Sequence, residues 1–325
     1  MEKLIPTKGK TSSLSKLSDM MLPLVLIGPT AVGKTDLALL LAKKTQGEVI
    51  SMDSMQIYRG MDIGTAKPTK EERAAVPHHL IDTNALTESS DMGSYLRLVK
   101  EKEAEVISRG KRPLLVGGTA MYVKGLVEGL FDGPGRDESL REELRAILAE
   151  KGPEYLRDEV LRPLDPVSAE RLHPNDTLRV IRAIEVSKLS GKPFSEQTQQ
   201  WNRKAPIENY RMVGLTMPRE LLYKRIEKRV DLMMEAGLEA EVRKLMQEGL
   251  EKNLTAAQAI GYKELIAYVH GEYDLARAVE LIKRNTRRFA KHQLTWFRNN
   301  IEAEWYDITN YDDKSVLADE ILGKD

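Results

Sequence analysis

Between residues 22 and 131, short apolar runs alternate with segments that repeat apolar residues at helical spacing. Three of these runs, at 22–27, 49–52 and 113–116, have the length of buried strands. Strands that alternate with helices build a parallel sheet with helices packed on its faces. We therefore predict an α/β core here, with polar and glycine residues gathered at the carboxyl edge of the sheet.

The pattern changes after residue 131. A strong turn signal, Asp-Gly-Pro-Gly, occupies 132–135, and residues 137 to 204 are charged and helical, most clearly at 138–150 and 175–189. Residues 211–217 return to strand character, and a long helix follows from residue 219. We predict an all-helical insertion, after which the chain rejoins the first sheet and ends in a helical C-terminal region.

These changes divide the chain into four predicted parts. They are a mobile tail rich in lysine, serine and threonine at 1–20, the first part of the core at 21–132, the helical insertion at 133–205, and the return to the core with the C-terminal helices at 206–325. The tail lacks the apolar segment of a secretory signal, and no later run reaches the roughly 18 apolar residues of a membrane span. We expect a soluble, cytoplasmic monomer that does not bind membranes.

The amino-acid composition excludes several kinds of catalytic and metal site. The 325 residues include no cysteine, which excludes disulfides, thiolate catalysis and zinc sites built on cysteine. Lysine and arginine balance aspartate and glutamate, so the formal net charge is zero. A polyanionic partner would therefore need a local basic patch rather than an overall positive charge.

The sequence GPTAVGKT at 28–35 follows the first predicted strand and precedes a helical segment. This is the setting of a phosphate-binding P-loop, in which backbone N–H groups and a helix N-terminus surround an anion. It predicts a P-loop NTPase-like core that binds a diphosphate or triphosphate, with the hydroxyl of Thr35 placed to ligate Mg²⁺. The predicted phosphate contacts are Gly28, Thr30, Ala31, Val32, Gly33, Lys34 and Thr35.

Asp53 follows the second predicted strand, at the same edge of the sheet as the P-loop. A carboxylate there could take a proton from a nucleophile or hold magnesium, and the sequence leaves both roles open. The third strand runs into Gly117, Gly118 and Thr119 rather than into the aspartate that holds the metal in P-loop nucleotidases. That difference weakens an ATP-hydrolysing interpretation.

Two groups of basic residues stand out in the second half of the chain. Arg225 and Arg229 are four residues apart, so on a helix they lie on one face and could clamp a leaving diphosphate. A solvent-exposed helix face with the same spacing is the alternative. Six cations near the C-terminus have no acid between them and are interleaved with aromatic residues; they are Lys283, Arg284, Arg287, Arg288, Lys291 and Arg298. This stripe favours RNA, and a basic outer face over an aromatic core is the alternative.

Six segments resemble, in order and residue identity, those of the tRNA dimethylallyltransferases. They are GPTAVGKT, ISMDSMQIYRGMDIGTAKP, LLVGGTAMY, HPNDTLRVIRAIEV, RIEKRV and QAIGYKE, and the resemblance covers residues 22 to 300. It implies transfer of a dimethylallyl group from dimethylallyl diphosphate to N6 of adenosine 37 in tRNA, beside the anticodon. Because the C-terminal zinc finger of the eukaryotic members needs cysteine, the chain resembles the compact bacterial form.

The resemblance also implies roles for particular residues. Asp53 matches the general base, Arg229 matches the arginine that steadies the diphosphate, and the P-loop matches one that holds diphosphate with Mg²⁺ rather than ATP. Arg225 is a second candidate for the diphosphate. The implied contacts with the tRNA anticodon stem-loop are Asp53, Ser54, Met55, Gln56, Thr119, Arg141, Leu178, Arg179, Val180, Ile181, Arg182, Gln258, Gly261, Tyr262, Lys263, Lys291, His292, Gln293, Trp296 and Arg298.

Three other functions use parts of the same pattern. A P-loop kinase acting on a nucleotide or small molecule would use the loop and the arginines to bind ATP. An RNA-binding protein with an inactive P-loop would depend on the basic stripe alone. A prenyltransferase acting on free adenine nucleotides would share the loop and the base but would not need the insertion and the stripe.

Overall fold

The computed structural model describes residues 22–88, 90–129, 133–198 and 209–324. The tail predicted at 1–20 lies outside these ranges. The described residues form two compact units: one contains those up to Val123 together with those from 209 onward, and the other begins at Lys124. The division falls within a helix, Ala120–Glu128, whereas the sequence pattern placed it at the turn signal after residue 132. Because the boundary between the units lies inside this helix, no turn signal or change of composition marks it in the sequence.

Among the described residues, a sheet of six parallel strands forms the first unit, in the order β3, β2, β4, β1, β5, β6. The strands are β1 Leu24–Ile27, β2 Glu48–Met52, β3 His78–His79, β4 Pro113–Gly117, β5 Arg211–Thr216 and β6 Glu304–Asp307. All four predicted strands are confirmed, and the pairing of β5 with β1 confirms that the chain rejoins the first sheet. The pattern misses β3, which has two residues, and β6, whose sequence EWYD has no apolar run.

The helices occupy most of the remaining described chain. They are α1 Lys34–Thr45, α2 Lys70–Ala75, α3 Met92–Ser108, α4 Ala120–Glu128, α5 Glu138–Tyr155, α6 Pro166–Arg171, α7 Thr177–Ser190, α8 Phe194–Thr198, α9 Arg219–Glu235, α10 Leu238–Gln247, α11 Tyr262–Val269, α12 Leu275–Asn300 and α13 Lys314–Leu322. Short 3₁₀ turns lie at Leu250–Lys252, Ala256–Gln258 and Ile308–Asn310, and a π-helical segment lies at Leu156–Leu161. Within the described ranges, none of these helices has the length and apolar character needed to cross a membrane.

The position of β1 explains where the site forms. All four of its residues are fully buried, and Val25 pairs with Leu115 of β4 on one side and with Met212 of β5 on the other. Because the strands are parallel, the segments that follow them leave the sheet at one edge. The P-loop after β1, Asp53 after β2 and the Gly117–Gly118–Thr119 turn at the end of β4 therefore meet there.

The second unit is helical and has its own core. Leu144 of α5 and Val180 and Ile184 of α7 are fully buried there. α5 bends at Gly152, whose φ of 85° and ψ of 171° are not helical, and Pro153 follows it. The charged helices that the sequence predicts at 137–204 are therefore amphipathic, and their apolar faces pack together into this core.

Candidate active site

The P-loop forms the turn between β1 and α1. Gly28 has a φ of 149°, and a Cβ atom at this position would lie 2.7 Å from the carbonyl oxygen of Leu215. A side chain would therefore separate the loop from β5, which is why glycine is required here. The helix begins at Lys34, and the first N–H groups of a helix have no partner within it, so its N-terminus attracts anions.

Lys34 is bonded to the backbone of its own loop. Its Nζ atom donates to the carbonyl oxygens of Gly28 and Pro29 at 2.8 and 2.9 Å. Burial lowers the pKa of Lys34 to about 7, the charge of Asp53 opposes this change, and the charge of Arg229 adds to it. At a pH above 7 the side chain is therefore largely the neutral amine, which gains a proton when negative charge approaches it.

Asp53 lies in the turn that follows β2. Its Oδ1 atom accepts hydrogen bonds from the backbone N–H groups of Met55, at 2.8 Å, and Gln56, at 3.4 Å. These bonds fix the direction of the carboxylate and leave Oδ2 with no hydrogen bond from the described part of the chain. Ser54, Met55 and Gln56, which the resemblance places among the RNA contacts, are all partly exposed in this turn.

Arg225 and Arg229 lie one turn apart on α9, as predicted, and both reach the P-loop region. A guanidinium nitrogen of Arg225 lies 3.5 Å from where a Cβ atom of Gly33 would be. Arg229 is less exposed than Arg225, and burial lowers its pKa while the nearby charge of Asp53 opposes the change. The sequence left the two arginines equivalent, whereas the structure places the more buried one beside Lys34 and Asp53.

A cavity of about 400 Å³ opens beside Arg229. Its lining combines cationic, acidic and apolar residues from the 62–73 segment and from the C-terminal part of α9. The acid is Asp62, which pairs with Lys67, while Asp82 pairs with both Lys67 and Arg73. The cations are Lys67, Lys70, Arg73 and Arg229, and the apolar residues include Ile63, Leu232, Met233 and Ala236. No pattern in the sequence indicates this cavity, because its two walls are far apart in the chain.

Thr119 connects β4 to the turn that carries Asp53. Its Oγ1 atom accepts the backbone N–H of Ser54 at 3.2 Å, and its own N–H donates to the carbonyl oxygen of Met52 at 3.4 Å. Thr119 therefore bonds to the chain on both sides of Asp53. Its contact with tRNA stays a prediction.

Two tyrosines that the sequence analysis did not single out lie near Asp53. The rings of Tyr95 and Tyr122 are stacked with centroids 4.2 Å apart, and the hydroxyl of Tyr95 donates to the carbonyl oxygen of Ser51. Burial raises the pKa of both hydroxyl groups, and the charge of Asp53 raises each further. Tyrosines in amphipathic helices resemble ordinary core residues, so no pattern in the sequence identifies them.

The basic stripe predicted near the C-terminus divides between two sides of α12. Lys283 and Arg287 form ion pairs with Asp231 and Glu227 of α9. Arg288, Lys291, His292 and Arg298 are exposed and lie at helical spacing along one side, whereas Phe297 is fully buried and Trp296 partly so. Phe289 is 44% exposed, so the aromatic residues of the stripe divide between the core and the surface. RNA binding by the exposed cationic face stays a prediction.

The structure buries several residues that the resemblance places among the tRNA contacts. Tyr262 is fully buried, and its hydroxyl donates to Glu241 Oε1 at 2.6 Å; Gly261 is buried as well, with its N–H bonded to Glu264. Gln258 and Lys263, in the same segment, are exposed. Gln293 is only 5% exposed, with both ends of its amide bonded to backbone groups. The side chains of Tyr262 and Gln293 therefore face the protein interior rather than a surface open to RNA.

The predicted tRNA contacts in the second unit divide in the same way. Leu178 and Arg179 are exposed, but Val180 and Ile181 belong to the core of this unit. Arg141 and Arg182 both bond to the fully buried carboxylate of Glu185. A single helical turn of α7 thus contributes both surface and core residues, which a match of consecutive residues cannot separate.

The profile of the IPP transferase family matches residues 56–300 of this chain. The chain belongs to this family. Among curated relatives, a tRNA dimethylallyltransferase of Bacillus licheniformis is 48% identical over 287 residues, which cover 88% of this chain and 90% of that protein. One of Pelotomaculum thermopropionicum is 46% identical over 299 residues, which cover 92% of this chain and 94% of that protein.

Solved structures of the family have the same fold. The crystal structure of a tRNA isopentenylpyrophosphate transferase from Bacillus halodurans matches with a TM-score of 0.68 and 44% identity, over 94% of this chain and 96% of that one. A eukaryotic dimethylallyltransferase described as acting on tRNA matches with a TM-score of 0.76 and 27% identity, over 93% of this chain and 79% of that one. The predicted P-loop-like α/β fold is confirmed.

Proposed function

We propose that the protein transfers the dimethylallyl group of dimethylallyl diphosphate to N6 of adenosine 37 in tRNA and releases diphosphate. One observation carries the proposal: the P-loop, Asp53 and two arginines converge at one sheet edge of a chain in the IPP transferase family. The reaction needs an anion site for the diphosphate beside a base for the amine, and this edge supplies both.

In the proposed reaction, the N6 nitrogen forms a bond to the allylic carbon while the bond from that carbon to the diphosphate oxygen breaks. The bonding electrons leave with the diphosphate, and the proton of N6 passes to Asp53. The Oδ2 atom is the acceptor for this proton, because Oδ1 is already held by the N–H groups of Met55 and Gln56. Asp53 thus acts as the general base.

The leaving diphosphate gains negative charge as its bond to carbon breaks. Lys34 of the P-loop and Arg225 and Arg229 beside it stabilise this charge in a partly buried site, where electrostatic interactions are stronger than in water. The cavity beside Arg229 adds apolar side chains that suit a prenyl group, whereas two of its cations, Lys67 and Arg73, are already paired with carboxylates.

The residues present fit a magnesium ion shared with the diphosphate. No cluster of three acidic or histidine side chains able to hold a metal occurs in the described ranges. Mg²⁺ commonly takes one or two protein ligands and completes its shell with phosphate oxygens and water, so the hydroxyl of Thr35 at the start of α1 suffices. The ion would neutralise part of the charge on the diphosphate.

We further propose that the exposed cations of α12 bind the RNA backbone of the anticodon stem-loop. Arg288, Lys291 and Arg298 share one face, and backbone phosphates are the groups that such a face attracts. The target adenine must leave the stack of the anticodon loop to reach Asp53, as in other enzymes that modify a base. A tRNA substrate implies that the protein acts in the cytoplasm.

The test is transfer of label from carbon-labelled dimethylallyl diphosphate to unmodified tRNA in the presence of Mg²⁺. One control is a tRNA without adenosine at position 37, a second is free AMP, and a third is ATP with the same protein. Label on the first tRNA alone supports the donor, the acceptor and the position together. Label on AMP instead indicates a nucleotide prenyltransferase, ATP turnover alone indicates a kinase, and RNA binding without chemistry indicates a binding protein.

A further inference from the structure

The amide group of Gln293 bridges two loops of the active-site edge. Its Oε1 atom accepts the backbone N–H of Thr30 in the P-loop at 2.8 Å, and its Nε2 atom donates to the carbonyl oxygen of Gly118 at 2.8 Å. The side chain is 5% exposed, so both bonds are shielded from water. The close approach depends on glycine, because a Cβ atom at Gly118 would lie 2.4 Å from Nε2.

The second loop leads directly to Asp53. Gly118 is followed by Thr119, whose hydroxyl oxygen accepts the N–H of Ser54 and whose N–H donates to the carbonyl oxygen of Met52. Hydrogen bonds linked by the peptide group between Gly118 and Thr119 therefore connect the P-loop through Gln293 to the two residues that flank Asp53. These are the only hydrogen bonds of the Gln293 side chain within the described residues.

We infer that Gln293 is a positioning residue that sets the spacing between the diphosphate site and the general base. This inference rests on the proposed function, because it concerns the distance between the leaving group and the atom that accepts the proton. A prenyl transfer requires the amine, the allylic carbon and the diphosphate in one line, and misplacement by about 1 Å can cost about 100-fold in rate. Gln293 acts through the loops and does not itself touch the substrates.

The same geometry argues against an RNA contact through this side chain. Both polar ends of the amide are used by the protein, and a bond to a base or phosphate would have to break one of them. Lys291 and His292, its neighbours on α12, are exposed instead. A direct contact with tRNA and a positioning role therefore predict different defects when Gln293 is replaced.

The experiment compares Gln293→Met with the wild-type protein. Methionine has a similar length and shape but cannot make either hydrogen bond. Gln293→Glu, which keeps the acceptor for Thr30 and loses the donor for Gly118 when ionised, serves as a second variant. Gln247→Met is the matched control, since Gln247 is exposed at the end of α10 and outside the site. The measurements are the single-turnover transfer rate and the dissociation constants of tRNA and of inorganic pyrophosphate.

We expect Gln293→Met to lower the single-turnover rate about 100-fold, while both dissociation constants stay within about threefold of wild type. Gln293→Glu, which when ionised sets a buried carboxylate oxygen against the carbonyl oxygen of Gly118, should lower the rate at least as much as Gln293→Met, and Gln247→Met should equal wild type. A rate within about threefold of wild type for Gln293→Met would overturn the inference. So would a weaker affinity for tRNA with an unchanged rate at saturation, which would indicate direct RNA contact.

A second measurement separates this inference from the proposed function. If the wild-type protein transfers no label to tRNA, the proposed function fails, but the bridge between the loops can still be tested by hydrogen exchange. Loss of the bridge should speed exchange of the Thr30 amide and of amides in the 117–119 turn, with the core strand β1 unchanged. Equal exchange of both loops in Gln293→Met and wild type would contradict the bridging role.

Discussion

The Nζ atom of Lys34 lies 2.8 Å from the carbonyl oxygen of Gly28 and donates a hydrogen bond to it. The two residues stand at opposite ends of the P-loop, so this bond closes the loop upon itself. Burial lowers the pKa of the lysine to about 7, although the carboxylate of Asp53 opposes the change. Binding of an anion at the loop should therefore be linked to protonation of Lys34.

We expect pyrophosphate binding at pH 8 to be accompanied by proton uptake of up to about one proton per site. The pKa of Lys34 is near 7 in the free protein and rises beside the anion, so protons bind with the ligand and the affinity falls as pH rises above 7. Calorimetry in buffers of different ionisation enthalpy measures this uptake. Lys34→Arg is the control, because arginine stays protonated throughout. Equal uptake by the variant would assign the protons to the ligand.

Replacement of Asp53 by asparagine tests the assignment of the general base. The amide oxygen of asparagine can accept the same N–H groups from Met55 and Gln56, so the turn is kept while the proton acceptor is lost. We expect the transfer rate to fall by about 10² to 10⁴. Tight tRNA binding should remain. Asp274→Asn, at the start of α12, is a matched control, and a rate near wild type for Asp53→Asn would exclude the base role.

The two arginines of α9 should differ in importance. Arg229 is partly buried beside Lys34 and Asp53, whereas Arg225 is exposed, and charge interactions weaken with exposure. We expect Arg229→Gln to lower the transfer rate by about 10² to 10³ and Arg225→Gln by less than about tenfold. Single-turnover rates of the two variants measure this difference. A larger effect from Arg225→Gln would reverse the assignment.

Glu185 should be the main electrostatic support of the second unit. It is fully buried and accepts bonds from Arg141, Arg182 and the backbone N–H of Asp137. Removing the charge in Glu185→Gln leaves two arginines without their carboxylate and should destabilise this unit by about 3 kcal/mol. Thermal unfolding measures the loss. Glu138→Gln, which affects exposed ion pairs, should cost about 0–1 kcal/mol, and an equal effect of the two variants would contradict the prediction.

The Glu185 carboxylate should make the stability of this unit depend on pH. Burial of Glu185 opposes ionisation, but the hydrogen bonds from Arg141 and Arg182 outweigh it and lower the pKa to about 2. The contribution of Glu185 is therefore fully present above its unfolded pKa of 4.5 and is lost as pH falls from there toward 2. The difference in unfolding free energy between wild type and Glu185→Gln should shrink as the pH falls from 7 to 2.

The exposed face of α12 should contribute to the salt dependence of tRNA binding. Each phosphate contact that is removed lowers the slope of log affinity against log salt by about 0.7 to 0.9. The double variant Arg288→Gln, Lys291→Gln should thus reduce that slope by about 1.5. Lys43→Gln with Lys102→Gln is the control, because these lysines lie on α1 and α3. An unchanged slope in the double variant would show that this face does not meet RNA.

Many features of the protein followed from local patterns. The apolar runs at β1, β2, β4 and β5 are long enough to predict buried strands, and GPTAVGKT predicts a P-loop because its chemistry lies within eight consecutive residues. The helix of Arg225 and Arg229 followed from the same kind of spacing. Such features depend on neighbours in sequence, so periodicity and spacing suffice to find them.

The tertiary structure decided which side chains face the site and which face the core. Lys291 and His292, which precede Gln293 in the sequence, are exposed. The side chain of Gln293 instead points inward to the P-loop at Thr30 and the turn at Gly118, which are 263 and 175 residues away. Val180 and Ile181 are likewise core residues next to the exposed Leu178 and Arg179. Burial depends on what packs against a residue from distant parts of the chain. The sequence by itself therefore determined the P-loop and four of the six strands, and only the folded structure decided the remaining strands and which residues hold that site together.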